Sequence, residues 1–369
     1  MTIRDLLPRL LLLSALIALV IAGWGGLVRM GWAMQPFAVV DHGPLMISGF
    51  LGTLIALERA VALSALIPRG RWAYLAPLFS ILGALALAAG LPRTFAITLI
   101  TLGSLSLVIV FMVIVRRQPA LFTITMALGA VCWLVGNVLW LSGQPIYQIV
   151  YWWVDFLILT IAGERLELTR ILRHPLYTQK LFMVAAVWVI ISLAITQLNL
   201  DVGIHLEGIG QIALALWLLR FDIARRTVKQ QGMTRYIGLC LMAGYVWLLV
   251  GGGLRLIYGA VPAGPVYDAL LHSVLLGFAF SMIFGHALII LPAVAHQTLP
   301  FKRLFYAHLL LLHASLILRL IGDLGSWLVL RQWGGMLNIV AILIFLGSTM
   351  YAVVSHRQSE RMQARKLTT

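Results

Sequence analysis

The sequence predicts an all-α polytopic membrane protein, a single domain of twelve transmembrane helices spanning residues 1–369. Composition is the first reason: 62% of residues are hydrophobic and 11% are charged, where a soluble domain is about half apolar and one quarter charged. Run length is the second. Apolar stretches long enough to cross the ~30 Å hydrocarbon core of a bilayer recur from one end of the chain to the other. The third is the form of those stretches. Only helices and closed barrels satisfy their backbone in lipid, and long continuous runs rather than short alternating ones select helices.

In chain order the spans fall near residues 8–28, 43–66, 72–91, 94–115, 120–141, 146–166, 181–198, 203–220, 235–258, 266–291, 304–322 and 334–355. Breaker-rich segments separate many of them: "IPRGR", "LPRT", "RRQPA", "LSGQP", "RHPLYTQK", "VPAGP" and "LPAVAHQTLPFKR". The longest connections are about fifteen residues, too short for a soluble domain. The first span has a short basic flank but no convincing A-x-A cleavage site, so it reads as uncleaved.

The net charge of +15 is distributed as a membrane topology signal, not as a nucleic-acid footprint. Most basic residues fall at the termini and in the loops after even-numbered spans, among them Arg69, Arg71, Arg116, Arg117, Lys302 and Arg303; the opposite side holds only Arg29, Arg93, Arg255 and Arg331. The positive-inside rule then places both termini in the cytoplasm, as expected for the inner membrane of a bacterium, with lipids as the surrounding partner. Cys132 and Cys240 lie in apolar runs, and no CxxC or CxxCH occurs. A disulfide framework, a thiolate zinc site and a covalently attached c-type heme are excluded.

Spans 2, 6 and 10 run in the same direction and hold much of the unusual chemistry. The pieces "TLIALER" and "LTIAGER" of spans 2 and 6 are close relatives, each ending in Glu-Arg. Three four-helix units with equivalent helices turned inward would account for this, although Glu58 and Arg59 also read as ordinary anchors at a helix end.

Ionisable groups within a bilayer are costly and mark candidate functional sites. His42, His272, His286, His308 and His313 fall within or at the mouth of spans, whereas His174, His296 and His356 fall in loops or the tail, as solvated residues. His205 and Glu207 read as an interfacial pair. Neutral histidine in a bundle interior is the usual ligand of a b-type heme. His42 opens span 2, and His272 lies about one and a half turns into span 10 at matching depth. The two can face each other across a flat macrocycle, with Gly43, Ser48, Gly49, Gly52, Ser273 and Gly277 giving a large ring room to approach. His286 lies about 21 Å deeper than His272. With His308 and His313 it is a candidate for a second metal, iron or copper. His308 and His313 point about 140° apart, however, which suits separate hydrogen-bonded structural histidines.

Arginines on the sparsely charged side are the natural partners for a heme's propionates, because guanidinium pairs bidentately with carboxylate. Arg29, Arg255 and Arg319 are the candidates. Arg319 has Asp323 at i+4 and so also reads as one half of a helix pair. Arg255 has no acidic neighbour close in sequence. Asp155, midway along span 6, reads either as a buried partner of one of these arginines or as a protonated carboxyl.

Histidines on spans 2 and 10 of a twelve-span chain resemble subunit I of the heme-copper oxidases, whose low-spin heme is held from those two helices. His42 and His272 carry that resemblance. Span 6, "VYWWVDFLILTIAGER", lacks the His-Pro-Glu-Val-Tyr element, and span 7 lacks paired histidines, so oxygen reduction is not implied. The chain is more similar to the NnrS family of heme- and copper-containing membrane proteins associated with nitric oxide metabolism and nitrosative stress. The similar stretches are "HGPLMISGFLGTLIALERA", "FLILTIAGERLELTR", "LHSVLLGFAFSMIFGHALIILPAVAHQTLPF" and "HASLILRLIGDL". Where that family begins span 2 with a doubled His-x-His, this chain has Asp41-His42. The resemblance implies heme b on His42 and His272 and a redox partner or membrane complex, and it carries over no copper ligands. Two other classes stay open from sequence: a twelve-span transporter, and a cofactor-free structural subunit of a larger complex.

Overall fold

The computed structural model describes residues 3–35, 37, 41–295 and 299–368. Among these residues it contains no strand, and twelve helices long and apolar enough to cross a membrane. They are α1 (Leu6–Arg29), α2 (His42–Leu66), α3 (Gly70–Ala88), α4 (Arg93–Arg117), α5 (Leu121–Leu141), α6 (Ile146–Leu172), α7 (Leu176–Thr196), α8 (Leu200–Phe221), α9 (Gly232–Tyr258), α10 (Pro265–Pro292), α11 (Phe305–Leu324) and α12 (Leu328–His356). The chain is an integral membrane protein of all-α architecture.

Each expected span has its helix, and the boundaries follow local chemistry. Pro92, Pro145 and Pro175 stand immediately before α4, α6 and α7, and Pro265 opens α10. Proline fixes a helical φ where its missing N–H is not needed. Helix α7 begins five residues earlier than hydropathy suggests, because "LYTQK" continues the helix straight after Pro175. Consecutive helices pack as hairpins, most extensively α3–α4, α5–α6, α8–α9 and α11–α12. In the α5–α6 pair, a β-carbon at Gly129 would lie 2.9 Å from the carbonyl oxygen of Phe156, and one at Gly163 would lie 2.9 Å from that of Phe122. Glycine is needed at both positions, as is common where membrane helices touch backbone to backbone.

The interior belongs to α2, α6 and α10. In these helices 61%, 72% and 67% of the most apolar stretch is buried, against 56% or less in every other. The three meet in pairs. His42 of α2 faces His272 of α10, Arg59 of α2 pairs with Glu164 of α6, and Arg165 of α6 lies 3.3 Å from His286 of α10. The two Glu-Arg pieces are therefore more than anchors. Arg59 binds Glu58 beside it and Glu164 across the interface, while Arg165 forms a buried fork with Asp222, at 3.0 and 3.1 Å. Arginine's planar guanidinium makes such bidentate pairing possible.

Both α2 and α10 widen into a π-helix near the histidine: Leu45–Gly52 in α2 and Ser273–Phe280 in α10. Such turns weaken the regular ladder and concentrate at functional sites. In α2 the loosened turn opens the carbonyl of Ser48, which accepts hydrogen bonds from the hydroxyls of Thr53 (2.9 Å) and Ser80 (2.7 Å). His174 is not simply solvated, since its Nε2 bonds the carbonyl of Phe221 at 2.9 Å. His296 lies outside the described residues.

Candidate functional site

At the end of the bundle away from the Glu-Arg pieces, a cavity of about 720 Å³ opens between α1, α2, α6, α10, α11 and α12. That volume falls within the range of about 300–1,000 Å³ usual for cofactor pockets. Its walls are largely apolar, with Leu51, Leu276, Phe280 and Ile342 among them, and Tyr147 and Tyr267 add phenol rings. His42 and His272 line it together.

The two imidazoles have ring centres 6.2 Å apart and planes 26° from parallel. Optimal contact between carbon atoms is about 3.5–4.0 Å, so the rings do not stack on each other and a gap remains between them. Metal–imidazole bonds are about 2.0–2.1 Å long, and a ring nitrogen lies about 1.1 Å from its ring centre. A single metal atom bound end-on by both rings therefore sets the centres about 6 Å apart, which agrees with the observed spacing.

The hydrogen bonds set the direction of each ring. Nδ1 of His42 lies 2.6 Å from the carbonyl oxygen of Ala22 in α1. A carbonyl can only accept, so Nδ1 carries the proton and Nε2 keeps its lone pair. Nδ1 of His272 lies 3.0 Å from the carbonyl oxygen of Asp268 and 3.1 Å from its carboxylate; the Arg319 guanidinium is farther from it, at 3.4 Å, so the two acceptors assign the same tautomer. Among the described residues neither Nε2 has a hydrogen-bond partner. Metal-ligating histidines are held in this way, with the far nitrogen donating to a carbonyl or carboxylate. The donor set, the spacing and the cavity fit a heme bound through both histidines.

Asp268 is in turn gripped by Arg319, at 2.8 and 2.9 Å to its two oxygens. The expected helix pair of Arg319 with Asp323 does not form. Arg319 turns to α10, and Asp323 takes Arg331 of α12 instead, at 2.8 Å. The interhelical partner prevails because the Arg319 side chain is buried against α10, where Asp268 offers both carboxylate oxygens to its guanidinium. Arg29 also lines the cavity and makes no ion pair with another described residue, leaving its guanidinium for a ligand's carboxylate.

Arg255 is elsewhere. It is fully buried and pairs with Glu207 of α8, so the acid absent from its own stretch of sequence comes from a neighbouring helix. Glu207 is accordingly an interior residue and not half of an interfacial pair with His205, which bonds instead to Asp201. Nor do His286, His308 and His313 converge on a metal. His308 shares a hydrogen bond with Tyr236 at 2.8 Å, His313 accepts one from the Trp247 indole at 2.9 Å, and His286 binds the carbonyl of Met282 at 2.8 Å. Among the described residues no cluster of three or more His, Cys, Asp or Glu is placed to hold a metal. Each histidine thus has at least one ring nitrogen engaged by a separate local partner, while Nε2 of His313 has no hydrogen-bond partner among the described residues.

Sequence reasoning missed Asp268, although its i, i+4 spacing before His272 is the pattern that brings two helical side chains together. The carbonyl of Ala22 had no side-chain signal to find. No curated protein and no solved structure matches the chain. A family model does match, over residues 8–354, and the chain belongs to the family that model describes, a domain of unknown function designated DUF8744.

Proposed function

We propose that this protein binds heme b between His42 and His272 and carries electrons within the membrane. The observation that supports the reading best is the pair of imidazoles at 6.2 Å, both fixed through Nδ1 and both facing a cavity with Nε2 unpartnered. A heme held by two imidazoles supplies one-electron transfer with no open coordination position. The chain's residues supply the rest. Ala22 and Asp268 fix the imidazole tautomers, Arg319 holds Asp268, Arg29 offers a charge to a propionate, and the apolar walls keep water out. Handling of nitric oxide, raised by the resemblance to the NnrS family, would need one imidazole to withdraw. The second metal is not part of the proposal. By the positive-inside rule the end bearing Arg59 and Arg165 faces the cytoplasm of a bacterial cell, which turns the cavity toward the outer face.

A reduced-minus-oxidised optical spectrum of the purified protein tests this reading. A b-type heme signal is expected in the parent, with loss of the signal in His42→Ala and His272→Ala that still elute as folded monodisperse protein. A parent without heme absorption, or variants that keep the parent's spectrum, would overturn it.

A further inference from the structure

A second group of ionisable residues lies apart from the cavity, inside the bundle toward the same end of it. Asp155 of α6, Glu207 of α8 and Arg255 of α9 are each fully buried. The close approach of α8 and α9 brings the last two together. A β-carbon at Gly208 would lie 2.7 Å from the carbonyl oxygen of Gly252, and one at Gly252 would lie 2.9 Å from that of Gly208. With only hydrogen on those two carbons, the backbones touch and Glu207 and Arg255 meet inside, pairing through Oε2. The Arg255 guanidinium also lies 5.0 Å from the centre of the Tyr151 ring.

Tyr151 and Asp155 are i and i+4 on α6 and share a face of it, which turns Asp155 toward the same two groups. Cys132 of α5 is the other titratable group set against it. Among the described residues neither oxygen of its carboxyl has a hydrogen-bond donor, and Oε1 of Glu207 also lacks one. Two carboxylates facing one guanidinium would leave a net negative charge in the membrane interior. An uncompensated buried charge costs several kcal/mol even after relaxation, and a buried group of this kind neutralises rather than stay charged.

We infer that Asp155 and Glu207 form a proton-binding site buried within the bundle, sharing one proton with Arg255 as the counter-charge. The proton comes from water and forms an O–H bond on Asp155. That O–H donates to Oε1 of Glu207, whose other oxygen stays with Arg255. One carboxylate and one guanidinium then remain, and the group is neutral. Every orphaned carboxyl oxygen that can accept is thereby placed beside a donor, except the carbonyl oxygen of Asp155. The site does not depend on the cofactor reading, because none of its members lines the cavity.

Infrared spectroscopy of the full-length protein in lipid vesicles tests it. A carbonyl stretch of a buried protonated carboxylic acid is expected at neutral pH, insensitive to sodium in the buffer. Labelling the aspartate side-chain carboxyl with carbon-13 should shift that band in the otherwise unchanged protein. Asp155→Asn should abolish it, one band lost per chain, and Glu207→Gln should lose it too, because the amide is neutral and Asp155 is then ionised as the one counter-charge to Arg255. The wild-type labelling arm stands even where a variant fails to fold. No carboxylic acid band, a band that appears only when sodium is withdrawn, or a band untouched by Asp155→Asn and by aspartate labelling would overturn the inference.

Discussion

Gly26→Ala is the sharpest perturbation of the histidine site that leaves both histidines in place. Gly26 sits one turn after Ala22 on α1, facing the ring that Ala22 holds. A β-carbon there would lie 2.8 Å from Cε1 of His42 and 3.0 Å from Nδ1, where ordinary contact begins at 3.4 Å. The ring must therefore retreat by about 0.6 Å, and it is tied by the hydrogen bond of Nδ1 to Ala22 at 2.6 Å. Stretching or breaking that bond leaves a buried donor unsatisfied, at a cost of about 1–3 kcal/mol. Disturbing a partner that orients a metal ligand typically lowers metal affinity about 10–100-fold, and a site geometry tolerates about 0.5 Å of error. Gly26→Ala should thus lower heme affinity about 10–100-fold and reduce the melting temperature. The assay is a heme titration of the apoprotein followed by absorption, with Gly253→Ala as the control, since nothing lies within 4 Å of a β-carbon at Gly253. Unchanged affinity in Gly26→Ala, or an equal loss in Gly253→Ala, would refute the reasoning.

Two further outcomes are expected. Asp268→Asn removes the charge that holds both Arg319 and Nδ1 of His272, so heme affinity should fall about 10–100-fold with the chain still folded; retention equal to the parent's would remove Asp268 from the site. Tyr236→Phe deletes the partner of Nε2 of His308 between two fully buried side chains and should cost about 1–3 kcal/mol of stability, read as a lower melting temperature in detergent. The heme spectrum should not change, and loss of a bound metal in that variant would mean that His308 is a ligand after all.

The spans were legible because apolar length and prolines act locally, and a helix in lipid has no competing structure. His42 and His272 were legible for a related reason. Depth can be counted along a helix, so two histidines at matching depth are recognisable before their helices are placed side by side. Partner choice was not legible. Arg319 had an acid at i+4 and took Asp268 on another helix, while Arg255 had no local acid and found Glu207. His308 and His313 look like metal ligands by residue type, but Tyr236 and Trp247 engage one ring nitrogen of each from a helix remote in sequence. Such pairings depend on the rotation of each helix about its axis, and the small residues that set it carry no polar signal.

The two π-helices give the histidine pair a dependence on chain length as well as on residue identity. A turn with i→i+5 hydrogen bonds holds one residue more than an α-turn. Deleting a single residue from Leu45–Gly52 removes that extra residue, so α2 rewinds as a continuous α-helix and the turns on either side keep their phase. Deleting a residue from the regular turns of Thr53–Leu66 instead rotates the turns before the deletion by about 100° relative to the turns after it, and His42 swings out of the cavity with its imidazole intact and its neighbours in sequence unchanged. The same holds for His272, with Ser273–Phe280 as the tolerant segment and Ser281–Ala295 as the sensitive one. Substitution scans would pass over this difference, because no single side chain embodies it, whereas a scan of one-residue deletions along the two helices would expose it as a phase requirement.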